Sequence, residues 1–238
     1  SPNMFRFLFI FSLVLFAGAN LQGQSDVVQN IKLSVFSVAY AEGHQTIYLT
    51  NSKNEVSEIR LSTANILGPY ETMVDADSNV MLRTKGKTEE GAAIYPPIAQ
   101  FKLPGNIKEP LAILVPSSGD QAYRVLVVER SLDKFPNGSY TLINFSPLEI
   151  RGLVGKTRVI APAKKITRFN PSSNKETLLD VHFKYQREDD WKTFGRTRWV
   201  NEKNKRTLLL AYPDSKTKRM KIKGIPVRPT QSHRDEKR

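Results

Sequence analysis

Phe135-Pro136-Asn137-Gly138-Ser139-Tyr140-Thr141-Leu142-Ile143-Asn144-Phe145-Ser146 reads as a turn that feeds a strand. Asn137-Gly138 places at the corner the two residue types that adopt positive φ at least cost. On the pleated strand that follows, Tyr140, Leu142 and Asn144 share one face. A tyrosine just past a turn can bury its ring while its hydroxyl pins the backbone. This gives the stretch a structural role in preference to a binding one.

The same pattern recurs along the chain. Short apolar stretches rich in β-branched and aromatic residues are separated by Gly, Pro, Asn, Asp and Ser. They predict strands at 32–39, 46–50, 55–61, 80–84, 98–103, 111–115, 123–129 and 139–145, then at 148–153, 157–161, 164–169, 177–186, 191–200, 207–212 and 218–225. No segment holds a helical period for the ten or so residues that a helix requires. The stretch 71–91 reads as a long loop around one strand. A hydrophobic content of 39%, with 9% aromatics, is enough to build one or two cores, which excludes a disordered polymer or a fibre.

Internal matches suggest how these strands are grouped. Leu33, Val35 and Phe36 align with Val125, Val127 and Val128; Leu49-Thr50-Asn51 aligns with Leu142-Ile143-Asn144; and Glu58-Ile59-Arg60 aligns with Glu149-Ile150-Arg151. Ala112-Ile113-Leu114-Val115-Pro116 aligns with Leu209-Leu210-Ala211-Tyr212-Pro213. Four matches in order suggest a diverged tandem duplication, with its boundary in the turn-rich Pro116-Ser117-Ser118-Gly119-Asp120. The expected fold is all-β: two tandem immunoglobulin-like β-sandwich domains at 30–116 and 121–226, each close to the ~100 residues of that architecture. A disordered basic tail follows at 227–238. At 135–146, and at Leu111-Ala112-Ile113-Leu114-Val115 followed by Tyr123-Arg124-Val125-Leu126, the sequence resembles a loose set of exported bacterial β-sandwich proteins of unknown function. That resemblance implies a fold and a compartment and carries over no functional residue.

The N-terminus supports export. Met4-Phe5-Arg6, an apolar run from Phe7 to Ala17 and then Ala17-Gly18-Ala19 match the three regions of a secretory signal peptide, which places residues 1–19 in the signal and 1–3 in an over-extended start. The run is shorter than the roughly 20 residues of a membrane-spanning helix, so no membrane span is expected after cleavage. The chain has no Cys, which excludes disulfides, thiol catalysis, Cys-ligated metals and lipid attachment through Cys. Export without disulfides points to a bacterial periplasm, cell surface or medium. The sequons Asn137-Gly138-Ser139 and Asn144-Phe145-Ser146 are read as chance occurrences.

Catalytic and metal signatures are weak, and none is assigned. Gly155-Lys156-Thr157 ends like a phosphate-binding loop, but Ile150 stands where the first Gly is needed, so a β-turn is expected. Asp75-Ala76-Asp77-Ser78-Asn79 opens like a calcium loop, yet Val80 and Gly86 replace its Gly and Glu, leaving an acidic loop. His44, His182 and His233 lack ligand spacing, with His182 expected to point outward from its strand. Glu188-Asp189-Asp190 reads as a hairpin tip whose adjacent acids are poorly held for glycosidase work. No cofactor is expected.

Charge is more informative. From Lys184 onward there are 17 Lys and Arg against 7 Asp and Glu, so +10 of the chain's +13 lies in its last quarter. Strict alternation over 191–200 puts Trp191, Thr193, Gly195, Thr197 and Trp199 on one face, as a core tryptophan pair, and Lys192, Phe194, Arg196, Arg198 and Val200 on the other. A cationic face built from Lys192, Arg196 and Arg198 and continued by Lys203, Lys205, Arg206, Lys218, Arg219, Lys221 and Lys223 would meet an anionic envelope polymer or an envelope protein. Nucleic acid is physically compatible with such a face, but the export signal argues against it. The readings that follow are a non-enzymatic binding module, assembly through sheet edges, and a secreted carbohydrate hydrolase.

Overall fold

The structure, a computed structural model, describes residues 29–171, 177–214 and 217–228. The expected signal peptide and the tail beyond Arg228 lie outside the described residues. Strands follow one another from end to end, and no helix occurs among the described residues. The first half of the chain contributes β1 (Gln29–Ser37), β2 (Thr46–Thr50), β3 (Val56–Arg60), β4 (Leu67–Val74), β5 (Asn79–Arg83), β6 (Gly86–Lys87), β7 (Ala93–Ile94), β8 (Pro97–Lys102), β9 (Pro110–Pro116) and β10 (Tyr123–Glu129). The second half contributes β11 (Tyr140–Asn144), β12 (Ile150–Val154), β13 (Thr157–Ala161), β14 (Ile166–Phe169), β15 (Leu178–Arg187), β16 (Asp190–Val200), β17 (Arg206–Pro213) and β18 (Met220–Val227).

These strands form a sandwich-like arrangement of four four-stranded sheets: β10-β9-β1-β4 and β3-β2-β5-β8 in the first half, β14-β11-β17-β18 and β13-β12-β15-β16 in the second. β6 and β7 make a small separate hairpin. Each half encloses its own core. Leu33, Val35, Ile47, Leu49, Leu82, Ala112 and Leu114 belong to the first, and Leu142, Ile150, Val181, Phe183 and Leu209 to the second. A third buried cluster joins the halves, with Phe36, Leu111 and Ile113 on one side and Ile143, Leu208, Leu210 and Ile225 on the other.

Strands β9 and β17 therefore serve two cores at once. Ala112 and Leu114 face the first core while Leu111 and Ile113 face the junction; Leu209 and Ala211 face the second core while Leu208 and Leu210 face the junction. A strand covered on both sides must be apolar at every position, and this explains the unbroken runs Leu111-Ala112-Ile113-Leu114 and Leu208-Leu209-Leu210-Ala211. Both strands also pair in parallel with the first strand of their half, Val35 opposite Ala112 and Leu142 opposite Leu209.

The strand order is the same in both halves. β10-β9-β1-β4 corresponds to β18-β17-β11-β14, and β3-β2-β5-β8 to β13-β12-β15-β16. The alignment of 112–116 with 209–213 links two strands in equivalent places, β9 and β17. The other three alignments link β1 with β10, β2 with β11 and β3 with β12, which occupy different places. Short period-two segments resemble one another whatever their position in a sheet.

Two expected boundaries change. β10 pairs along its whole length with β9, Tyr123 opposite Pro116, so the expected boundary at 116–120 falls at the end of β9 and in the hairpin loop after it, and the division between halves falls within 130–139. Val227 is buried and pairs with Arg206, so β18 extends into the expected tail. The expected loop at 71–91 contains the second half of β4, which pairs with β1. Gly68-Pro69 reads as a strand breaker, yet it lies inside β4 where the β1 register shifts between Leu33 and Val35. Gly68 has φ +91°, and a Cβ there would stand 2.8 Å from Tyr70 Cδ2 and 3.0 Å from the Leu33 carbonyl, so only glycine fits.

Candidate functional site

The outer face of β13-β12-β15-β16 is shaped by a β-bulge. Phe183 pairs with Gly195 but Lys184 pairs with Thr193, leaving Phe194 as the extra residue. The bulge inverts the alternation expected over 191–200. Beyond it Trp199 faces inward, its ring 5.4 Å from Tyr140 and 6.0 Å from Phe183. Before it Trp191 faces outward, opposite Gln186, so the two tryptophans are not a core pair. The Arg151 guanidinium lies 4.4 Å from the Trp191 ring centroid and the Lys184 ammonium 5.4 Å from it, a cation–π arrangement on a solvent-facing sheet.

The sheet register sets out the rest of this face. Arg151 stands between Ile160 and Lys184, and Lys184 is followed by Thr193. In the next row Leu153 stands between Arg158 and His182, and His182 is followed by Arg196. Asp180 faces Arg198 and is bonded to it at 2.8 Å, while Glu149 holds Arg151 at 2.8 Å. Leu153 and Ile160 are 44% and 57% exposed, so the cations are interleaved with accessible apolar side chains. His182 does point outward, its Nε2 3.0 Å from the Thr193 hydroxyl.

Of the ten cations expected to form one surface, Arg196 and Arg198 lie on this face. Lys192 pairs with Tyr185 on the opposite side of its strand from Trp191. Lys203 and Lys205 lie exposed between β16 and β17, with Lys205 bound to Glu202. Lys218 and Arg219 are exposed just before β18, and Lys221 is paired with Asp214 at 2.5 Å. Lys221 and Lys223 stand opposite Tyr212 and Leu210, on the outer face of the other sheet. Outer faces of two packed sheets point away from each other, so the ten residues do not form one surface. Lys223 reaches the first half, where its ammonium donates to the Thr63 carbonyl at 2.5 Å.

Arg206 is only 3% exposed, which removes it from the cationic face. Its guanidinium donates to the carbonyls of Arg130 and Phe135 and lies 5.6 Å from the Phe135 ring. Burial pushes its pKa down, the neighbouring Arg130 adds to that, and Glu109 opposes it. Arg130 is itself buried beside Glu109, 3.6 Å away. The group braces the chain where one half passes into the other. Arg151, Arg158 and Lys184 were not singled out from the sequence, because they come from three strands and meet only through the sheet register.

A groove of about 830 Å³ opens between β16 and β18. Phe183, Trp199, Leu209 and Ile222 line its floor, and Glu202, Lys205 and Arg228 stand among its polar residues. Glu202 is the one carboxylate among the described lining residues, so the groove holds no carboxylate pair of the kind used in glycoside hydrolysis.

The remaining motifs are turns and struts. The Asp75 carboxylate accepts from the backbone N–H groups of Asp77 (2.9 Å) and Asn79 (2.8 Å) and from the Asn79 amide (3.0 Å), which occupies it within its own turn. These bonds, led by the Asn79 N–H, hold its pKa below the usual carboxylate value. Gly155-Lys156 is the two-residue turn of the β12–β13 hairpin, and Glu188-Asp189 turns β15 into β16. Asn144 is buried with its amide donating to the carbonyls of Leu148, Ala161 and Pro162, which closes it to modification. The hydroxyl pin expected of Tyr140 is found at Tyr123, which donates to the His44 carbonyl at 2.7 Å and accepts from the Ala41 N–H at 2.9 Å. Tyr140 instead stacks its ring on Phe169 at 5.2 Å. No protein-family model and no curated protein matches this chain.

Proposed function

We propose that the chain is an exported, non-enzymatic protein of two tandem immunoglobulin-like β-sandwiches, related by an ancient duplication, that binds an anionic polymer of the bacterial envelope. The export reading rests on the N-terminal sequence, and the duplication on the identical strand order of the halves. The observation that carries the binding reading is the outer face of β13-β12-β15-β16, where Arg151 and Lys184 flank Trp191 and Arg158 and Arg196 lie one row away. Guanidinium groups bind carboxylate, sulfate or phosphate in a fork geometry, and the outward-facing, half-buried indole of Trp191 adds an apolar edge for a sugar ring.

Retention of the mature protein on an immobilised acidic polysaccharide tests this. Arg151→Glu, Lys184→Glu and Arg196→Glu together should abolish retention at moderate salt, and Trp191→Ala should weaken it. Lys221→Glu, on the opposite face, should change it little. Retention insensitive to salt and to the triple variant would refute the reading, since exposed charges act through a field that salt screens.

A further inference from the structure

We propose that the groove between β16 and β18 receives an extended segment of a partner protein, which adds as a strand along the free edge of β16. This site meets the cationic face only at Arg198 and does not depend on Arg151, Lys184 or Arg196.

β16 and β18 are each the last strand of their sheet, so among the described residues each presents a backbone edge with no neighbouring strand. Between these edges the groove overlies the second core, with Phe183 and Leu209 buried at its floor and Ile222 half-buried beside them. An apolar channel flanked by unpaired strand edges is the geometry of strand addition, in which the backbone supplies hydrogen bonds and alternate side chains fill the channel.

The first half shows what occupies the equivalent place. There β8 and β10 stand where β16 and β18 stand, and the chain itself bridges one end of the gap, leaving a smaller groove of about 600 Å³. The Ala122 N–H donates to the Ile98 carbonyl of β8 at 2.9 Å, and the Gln100 N–H donates to the Gln121 side-chain oxygen at 2.9 Å. Ala122, Val125 and Val127 pack against the first core beside it. Among the described residues no such bond joins β18 to β16. Extended polypeptide with small apolar side chains is therefore the occupant that this architecture accepts.

Two glycines keep the second groove open. Gly195 and Gly224 both line it, and Gly224 pairs with Leu209 as Val127 pairs with Ala112, so a valine in the first half is matched by a glycine in the second. Neither glycine has a positive φ. A Cβ on Gly195 would lie 3.6 Å from Phe183 and 3.7 Å from Ile222, and one on Gly224 would lie 3.5 Å from Thr207. These are ordinary contacts. Backbone conformation and close packing leave room for a side chain at both positions, and its absence widens the groove. The rim carries Lys205 and Arg228 against Glu202, which favours a partner segment with acidic residues between its apolar ones.

The test uses the mature full-length chain and a fluorescent peptide of about nine residues, with valine at alternate positions and glutamate or threonine between them. Fluorescence anisotropy should show saturable binding, and amide exchange should slow along β16. A peptide of the same composition with its valines contiguous should bind weakly. Gly195→Val and, independently, Gly224→Val should each lower affinity by about tenfold or more while leaving the melting temperature and the polysaccharide retention unchanged. Equal binding of both peptides, or binding unaffected by both variants, would overturn the proposal. So would saturable binding of palmitate without the peptide, which would make the groove a lipid site, or a concentration-dependent dimer abolished by Gly195→Val, which would make the occupant a second copy.

Discussion

The ring of Phe183 lies directly over the backbone of Gly152, so close that a Cβ on Gly152 would stand 2.5 Å from Cδ1 and nearer still to Cε1. Both residues are in paired strands of one sheet, and Phe183 is fully buried. Gly152→Ala must displace the ring from its packed position in the second core. The expected cost is about 1–3 kcal/mol, read as a lower midpoint in urea denaturation with the slope unchanged. A neutral outcome would show that the ring can move aside freely.

The Glu129 carboxylate accepts backbone N–H bonds from Lys108 (2.6 Å), Glu109 (2.9 Å) and Ser131 (2.9 Å). Burial pushes its pKa up, but these bonds outweigh burial and hold it below the ordinary 4.5. A depressed carboxylate pKa contributes stability that is fully present above the unfolded value and is lost as pH falls through the folded one. Stability of the native protein should therefore decline as pH drops below that ordinary value, and Glu129→Gln should flatten this part of the profile. Parallel acid-unfolding curves for the two proteins would count against the assignment.

Asn144 presents its amide to three carbonyls and its side-chain oxygen to the Ser146 N–H and hydroxyl, at 3.0 and 2.7 Å. Asn144→Asp would replace that buried donor with a carboxylate oxygen, setting an acceptor against three carbonyl acceptors and adding a charge. A loss above about 3 kcal/mol is expected. Thermal melting that stays close to wild type would contradict this network.

The third hydrophobic cluster joins the two halves through Phe36, Ile113, Ile143 and Leu210. An extensive apolar junction couples the unfolding of its two sides. Scanning calorimetry of the full chain should give one transition, and Phe36→Asp should divide it in two. Two transitions in the unmodified protein would mean that the junction contributes little.

The turn at Asn137-Gly138 and the strand after it, the all-β character, the outward position of His182 and the outward Arg196 and Arg198 were legible in the sequence, because turn chemistry and period-two alternation are local. β4 was not, since Gly68-Pro69 carries the signature of a break and only a bulge that sets these two residues against the single Ser34 of β1 lets it continue a strand. The position of Trp191 was not legible either. A single inserted residue, Phe194, reverses the faces of everything before it, and no local pattern marks which strand will bulge.

What the sequence by itself determined is the material: a strand-forming chain without cysteine, with enough apolar residues for cores and with its positive charge gathered toward the C-terminus. Tertiary structure alone decided which cations act together. Arg206 went to a buried junction, Lys223 to the first half, and Lys221 to the far side of the second half. Arg151, Arg158, Lys184 and Arg196 were brought onto one face from four different strands. The reason is geometric. Charge is counted along the chain, but a binding face is assembled across it, by a register that long-range strand pairing sets.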